Sequence, residues 1–330
     1  MSRIEARPLV TTDLDGLEVF YRGHSRAPYA YYPELGADRL ATHAAAQARA
    51  ILTAPGTAAF ALAGGTGFAA FQTLGWDSRA LGVPAARLAL LELAEGTRTS
   101  RATALKAARA LGTALADTVR ASGARHVSAR LDARDIVLIQ ALEEQGFRLV
   151  DAILRFTLDL HPPPPQADNV VVRDARAEDL GRLRELAASG FIYDRFHNDP
   201  ALASTVADRL HAAWVENAVR GGYGCGVLVA EAEGRPAGFF VLSEDPLARE
   251  ILGVGIGTLV LITVAPEARR RGIARALSLA SAARLRERGN RFAEVGTQLA
   301  NVPASNIYLA AGFRLVQTSV SLRWWRDHRS

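Results

Sequence analysis

The segment from Thr258 to Phe313 constrains this chain more than any other. An apolar, β-rich run, Thr258–Val264, leads into Arg269–Arg270–Arg271–Gly272–Ile273–Ala274. A helical pattern follows from Ile273 to Arg288, then a strand pattern over Phe292–Thr297 and a short helix ending at Gly312–Phe313. Strand, tight loop, helix, strand, helix is an order that presents a helix N-terminus to an anion. The first turn of a helix leaves backbone N–H groups without intrahelical partners, and the helix dipole adds positive potential there. Gly272 carries no Cβ, so an anion can approach the backbone closely. Ala274 keeps the next position small, and Arg269, Arg270, Arg271 and Arg275 add planar cationic donors suited to phosphate. A basic loop opening a surface helix is the plain alternative. The apolar strand before the loop and the amphipathic helix after it are the context a phosphate loop requires.

The end of the segment reads Asn301-x-x-Ala304-x-x-x-Tyr308-x-x-x-Gly312-Phe313 and opens a helix with Pro303 in its first turn, where proline is tolerated. Together, this motif and Arg269-x-x-Gly272-x-Ala274 resemble the GNAT superfamily of acyl-CoA N-acyltransferases, whose pyrophosphate loop reads R/Q-x-x-G-x-G/A. The resemblance implies an α/β fold with a mixed sheet, and acetyl-CoA as co-substrate. It implies that the backbone of Ile262, Thr263 and Val264 pairs with the pantetheine arm like an added strand. The gap for that arm would lie where strands 258–265 and 292–298 splay apart. Arg269, Arg270, Arg271, Gly272, Ile273 and Ala274 would hold the pyrophosphate, with Asn301 and Tyr308 beside the cofactor. Tyr308 would take the family's general-acid role and deliver a proton to the departing thiolate. From residue type alone, Tyr308 also fits a packed aromatic with a hydrogen-bonded hydroxyl, and Asn301 fits a helix cap.

Length and composition set the class. The 330 residues suffice for two ordinary domains. With 49% hydrophobic and 22% charged residues the balance is that of a globular chain. No run approaches the length of a membrane span, and the N-terminal Met-Ser-Arg-Ile-Glu-Ala-Arg-Pro lacks the form of a signal peptide. The lone Cys225 excludes a disulfide framework and any multi-cysteine zinc site. A cytoplasmic location is expected. The net charge of +5 comes from arginine, Lys106 being the sole lysine. It is spread over both halves, so nucleic acid is not the expected partner, although an aminoacyl-tRNA acceptor stays open. No membrane partner is expected, and the oligomeric state is not set by the sequence.

The element order repeats. In the first half a strand near Glu5 precedes a helix start at Thr12 or Asp13 and a helix over 37–53. A hairpin follows, Ala58–Leu62 with Gly67–Thr73, then a strand at Arg87–Leu93 and a helix at Arg101–Ser122. His126–Leu131 is a strand, Asp135–Glu144 a helix, and a strand pair runs to Leu160. In the second half a strand at 169–174 leads to helices at 178–189 and 199–220, the hairpin Val227–Glu231 with Gly238–Leu242, and the segment already described. Gly146–Phe147 falls where Gly312–Phe313 falls later. Two tandem GNAT-like domains are expected, at 1–160 and 169–330. The linker over 161–168 contains His161-Pro-Pro-Pro-Pro-Gln166, a stiff extended spacer. The first domain is expected to be degenerate. Its loop, Glu95–Arg101, lacks the glycine spacing and opens with an acid, Leu142 stands in Tyr308's place, and Asp135 in Asn301's. An unrelated αβ domain is the alternative for this half.

Substrate chemistry is less constrained. Trp214–Gly221, Asp194-Arg-Phe196 and Val295-Gly-Thr-Gln298, with scattered residues back to Leu74, resemble the bacterial acetyltransferases of dTDP-linked 4-amino-4,6-dideoxyhexoses. That implies direct acetyl transfer to a primary amine, with an amino sugar as acceptor, its nucleotide-linked form included. Arg195, Phe196, Arg220 and Gln298 are the expected substrate residues, with Phe191, Tyr193 and Trp214 as further aromatics. Trp214 also fits the core of a helical flap. The catalytic set is Tyr308, Glu244 and Asn301, with Glu244 as base and Asp245, Asp194 and His197 as alternatives to it. No metal is expected, because no H-x-x-x-H pair or calcium-loop spacing occurs. Another amine acceptor (an amino acid, an aminoglycoside-type compound, a protein N-terminus) and a non-catalytic CoA-binding sensor are the competing readings.

Overall fold

A computed structural model describes residues 4–165, 170–222 and 224–326. Gln166 and residues 167–168 of the expected linker lie outside them. In chain order the first half runs β1 (Ala6–Pro8), α1 (Leu17–Tyr21), α2 (Ala37–Leu52), β2 (Thr57–Leu62), β3 (Gly67–Thr73), α3 (Gly75–Leu81), β4 (Ala85–Leu93), α4 (Glu95–Arg98), α5 (Arg101–Ala121), β5 (His126–Asp132), α6 (Ile136–Glu144) and β6 (Arg148–Asp159). The second runs β7 (Val172–Asp174), α7 (Leu180–Gly190), α8 (Ser204–Val219), β8 (Val227–Ala232), β9 (Arg235–Glu244), β10 (Gly255–Val264), α9 (Ile273–Glu287), β11 (Asn290–Gln298), α10 (Val302–Ala310) and β12 (Arg314–Trp325).

Two compact units result, one of Met1–Val150 with Ser319–Ser330, the other of Asp151–Thr318. Each holds the same mixed sheet. In the first, β1, β2, β3 and β4 are successively antiparallel, β4 pairs parallel with β5, and β12 closes the sheet antiparallel to β5. In the second, β7, β8, β9 and β10 are antiparallel, β10 pairs parallel with β11, and β6 closes antiparallel to β11. The matching order establishes the mixed α/β tandem architecture. The unit boundaries, however, differ from a cut at 160 and 169. The closing strand of each repeat lies in the other repeat's sheet: Ile153–Asp159 pairs with Gln298–Phe292, and Ser319–Trp325 with Asp132–His126. The expected strand pair ending at Leu160 is one strand of 12 residues.

Both sheets are covered by helices whose apolar faces recur at three- and four-residue spacing. On α5, Ala104, Ala108, Leu111 and Leu115 are buried against the first unit's sheet. On α9, Ile273, Leu277 and Leu285 fill the second unit's core with Phe239, Leu259 and Val295. Full burial of a leucine such as Leu277 contributes roughly 1.5–3 kcal/mol. The rigid α9–sheet contact is what fixes the loop ahead of α9.

Candidate active site

The site is built on one strand, β10. Its parallel pairing with β11 runs from Gly255↔Asn290 to Leu259↔Val295 and then stops. At the same point the β9 ladder is interrupted by a bulge between Leu259 and Leu261. A bulge adds a residue and re-aims the strand. Beyond it, Leu261–Val264 pair with Val241–Gly238 of β9 only, while β11 continues along β6 to Gln298↔Ile153. The two strands part within the segments 258–265 and 292–298 to which the resemblance assigned the gap. Small residues crowd the parted end. A Cβ on Gly190, the last residue of α7, would stand 1.9 Å from Thr263 Oγ1, and one on Gly238 would stand 2.8 Å from the Thr263 carbonyl oxygen.

The loop after β10 turns sharply. Arg270 has φ 60° and Gly272 has φ 79°. Gly272 is the N-cap of α9 and provides no side-chain cap to the first-turn N–H groups. A Cβ at Gly272 would meet no atom within 4 Å. Glycine is therefore required by its left-handed backbone, and the space beside it is open. That open space belongs to a cavity of about 560 Å³ at the α9 N-terminus. Ile262, Thr263, Val264, Arg269, Arg270, Gly272, Ile273, Ala274, Asn301 and Tyr308 line it together. Arg271 is apart; its Nη1 donates to Glu233 Oε1 at 3.2 Å. The lining also includes Gly190, Ile192, Tyr193 and Arg275. Helix N-terminus, arginines and an unpaired strand edge together make a cradle for an extended anionic ligand.

Tyr308 is 2% exposed and packs against Phe156 and Phe313. Burial pushes its phenol well above the ordinary range, so the hydroxyl is protonated at neutral pH. Among the described residues no protein group hydrogen-bonds to that hydroxyl, and the side chain borders the cavity. Asn301 Oδ1 accepts from the Ala304 N–H at 3.3 Å, so Asn301 caps α10 while also lining the cavity.

Glu244, the expected base, lies elsewhere. Its carboxylate accepts from Arg288 Nε at 2.8 Å and from Asn290 Nδ2 at 2.7 Å. Arg288 is the C-cap of the 15-residue α9, roughly 22 Å along the axis from the loop. The Arg288 hydrogen bond lowers the Glu244 pKa, and Glu244 does not line the cavity. The carboxylate is thus held in a structural pair at the far end of α9 from the loop, away from the cavity that Tyr308 borders. Asp245 caps the following turn, its Oδ1 accepting from Leu247 N at 2.9 Å.

The four expected substrate residues also stay outside the cavity. Phe196 is buried among His211 and Trp214, with the Arg195 guanidinium over its ring at 4.7 Å. Arg220 pairs with Glu216 at 2.7 Å. Gln298 ends β11, its carbonyl accepting from Asn301 N at 2.9 Å. Trp214 is half-buried and lines a separate apolar cavity of about 130 Å³ with Val241, Val260 and Leu261, at the β10 bulge. Sequence reasoning missed Gly190 and Ile192, because nothing local signals that the end of α7 reaches β10. Asp194 and His197 join His211, a residue with no sequence signal of its own. Burial opposes charge on His197, but hydrogen bonds to Asp194 and Asp208 outweigh it and raise the pKa.

The comparisons with known proteins agree with this geometry. Residues 190–313 match the family model "Acetyltransferase (GNAT) family". A dTDP-fucosamine acetyltransferase of Escherichia coli O6:H1 is 29% identical over 198 residues, 58% of this chain and 79% of that protein. A solved GCN5-related N-acetyltransferase from Sphaerobacter thermophilus aligns with TM-score 0.63 at 18% identity, covering 98% of this chain and 96% of the other. A tandem GNAT protein from the clavulanic acid biosynthesis pathway aligns with TM-score 0.56 at 16% identity over 99% and 100%. At those identities the solved structures speak to fold. No helix among the described residues is long and apolar enough to cross a membrane. The parted strands, the glycine-capped helix and the cavity all fall within the segment 190–313 of the second unit that matches as a GNAT acetyltransferase domain.

Proposed function

We propose that the chain transfers the acetyl group of acetyl-CoA to the primary amine of an amino sugar, with a nucleotide-linked sugar as the foremost acceptor. The cavity that joins the α9 N-terminus to Tyr308 carries the reading of the donor. The amino-sugar reading rests on the 29% identical relative, whose name gives dTDP-fucosamine as its substrate.

The loop N–H groups from Arg270 to Ala274 and the side chains of Arg269, Arg270 and Arg275 would hold the pyrophosphate. The free edge of Ile262–Val264 would pair with the amide-bearing arm. When bound, acetyl-CoA supplies an acyl group activated as a thioester. The net reaction forms one C–N bond, breaks one C–S bond, and moves one proton from nitrogen to sulfur. Tyr308 is the group we assign to the sulfur side: a neutral phenol donates a proton where a carboxylate of ordinary pKa would not. Alkyl amines are mostly protonated near neutral pH, so the acceptor must first lose a proton. No carboxylate or imidazole lies among the described lining residues, and we assign that proton to water. The apolar pocket of Trp214 and Val260 at the bulge is our candidate for the acceptor's ring face.

A thiol-release assay with acetyl-CoA against a panel of amines tests the reading. Turnover confined to dTDP-4-amino-4,6-dideoxy sugars supports it. Turnover with amino acids, peptides or aminoglycosides instead keeps donor and fold and removes the sugar. Binding of acetyl-CoA without turnover of any amine would favour a sensor.

A further inference from the structure

We propose that Asp194, His197 and His211, outside the acyl cavity, form a binding site for one divalent first-row transition-metal ion, with zinc as the best chemical match. Their ligand atoms all lie within 4.8 Å of one another. Asp194 and His197 come from the loop after α7, and His211 from the second turn of α8. Tetrahedral ligands at zinc distances lie roughly 3.3 Å apart, and His211 Nε2 stands 3.7 Å from Asp194 Oδ2.

The orientation of each ligand is set from outside the cluster. His211 Nδ1 donates to the Ala207 carbonyl oxygen at 2.8 Å. A carbonyl only accepts, so the proton is on Nδ1 and the lone pair of Nε2 faces the carboxylate. Two lone-pair atoms at that separation, with no proton between them, are an arrangement a cation satisfies. His197 Nε2 meets Asp208 Oδ1 at 3.1 Å, and its Nδ1 is hydrogen-bonded to Asp194 Oδ2; ion binding would displace that proton and part the two atoms to ligand spacing. Asp194 Oδ1 accepts from Phe196 N at 2.8 Å and His197 N at 3.4 Å, freeing Oδ2 for the two rings. A carboxylate or carbonyl behind each ligating imidazole is the outer shell that metal sites use to fix tautomer and ring direction.

The ligand set selects the ion class. Two imidazoles and one carboxylate suit zinc and its neighbours, whereas calcium and magnesium need more oxygen ligands. Three protein ligands leave a position for water. The side chains of Asp194, His197 and His211 are 12%, 10% and 1% exposed, so ligation would take place in a partly dry setting. Its effect would be local. Phe191 stacks on His211 at 4.5 Å between ring centres, and the adjoining Ile192 and Tyr193 line the acyl cavity. A bound ion would tie the loop to α8 and stiffen that wall.

The test uses the full chain, stripped with chelator and dialysed. Zn²⁺ binding is measured by competition with a chromogenic chelator, and Co²⁺ binding by its visible d–d spectrum. One equivalent of Zn²⁺ and the intense bands of four-coordinate Co²⁺ are expected. Asp208→Asn should weaken binding about 10–100-fold as an outer-shell change, and His211→Ala should abolish it. His161→Ala, in the linker, should leave it intact. Since His211 is buried and its variant is liable to misfold, the wild-type Co²⁺ spectrum and the Asp208 variant stand alone as tests. Substoichiometric Zn²⁺, a six-coordinate Co²⁺ spectrum, or affinity unchanged by Asp208→Asn would overturn the site and leave an Asp194–His197 ion pair.

Discussion

The two units carry the same loop position with opposite chemistry. In each, the central strand bulges, leaves its parallel neighbour, and runs on to a helix start: β4 pairs with β5 only to Leu88↔Ala129, as β10 pairs with β11 only to Leu259↔Val295. Counted from the bulges, Glu92 occupies Thr263's position and Leu93 that of Val264. In the second unit, Gly272 leaves the first turn of α9 uncapped, and Arg269, Arg270 and Arg275 border open space. In the first, Ser100 Oγ accepts from the Thr103 N–H at the head of α5. Arg98 turns inward, donating from Nε to the Leu93 carbonyl oxygen at 3.0 Å and pairing with Asp135. Arg26 reaches Asp135 at 3.2 Å and Glu95 at 3.3 Å, and Glu95 accepts from Ser25 N at 2.9 Å. The groups that would meet a ligand's phosphates are consumed by the chain's own ion pairs. The lesson is that a degenerate copy need not lose its cations; it redirects them.

The contrast can be broken most sharply at Tyr308, whose counterpart by sequence is Leu142. Tyr308→Phe should lower kcat about 10²–10⁴-fold, the range for a lost general acid, with the KM for acetyl-CoA little changed in steady-state kinetics. Gly272→Val forces a β-branched residue into a left-handed backbone and fills the cradle. A rise of about 100-fold in the acetyl-CoA dissociation constant, about 2.7 kcal/mol, is expected by calorimetry. Arg98→Ala tests the other loop. It strips Asp135, 4% exposed, of its main partner and should cost about 3 kcal/mol in denaturant unfolding without altering acetyl-CoA affinity.

Glu92 sharpens the comparison through pH. Its Oε2 is buried without a partner, although the residue as a whole is partly exposed. Burial pushes its pKa up to about 7 from 4.5. The folded state therefore holds a proton that the unfolded state has lost, and the contribution of this group to stability is full below about pH 4.5 and declines through about pH 7. The decline is at most about 3 kcal/mol, and Glu92→Gln should flatten that part of the thermal-unfolding profile. The smallest effect is expected at Glu244. With its Arg288 partner 41% exposed, Glu244→Gln should cost less than about 1 kcal/mol of stability and leave kcat near wild type. A loss of kcat with a shifted pH–rate profile would instead mark Glu244 as the base.

The parts of this arrangement that depend on near neighbours were legible in the sequence. The loop Arg269–Ala274 and the strand before it announce themselves by spacing, the Asn301–Tyr308 helix through the family resemblance, and residues of all three line one cavity. What depends on distant pairing was not. The exchange of β6 and β12 is invisible because both closing strands follow a similar Gly–Phe turn, and only the sheet selects between them. Glu244 read as a strand-end carboxylate near the site because nothing in its own surroundings announces Arg288, 44 residues away. Phe196 and Arg220 read as ligand groups because exposure and helix face cannot be assigned on a flap of irregular start. Gly190 looked like a helix end, and its role beside Thr263 appears only in three dimensions.

The most direct measurement is the stoichiometry of acetyl-CoA binding to the full chain by isothermal titration calorimetry, repeated with Gly272→Val and with Ser100→Gly. One equivalent per chain is expected, weakened by the Gly272 change and untouched by the Ser100 change. Two equivalents, or one that survives Gly272→Val and responds to Ser100→Gly, would contradict the assignment of the acyl-CoA site to the second unit.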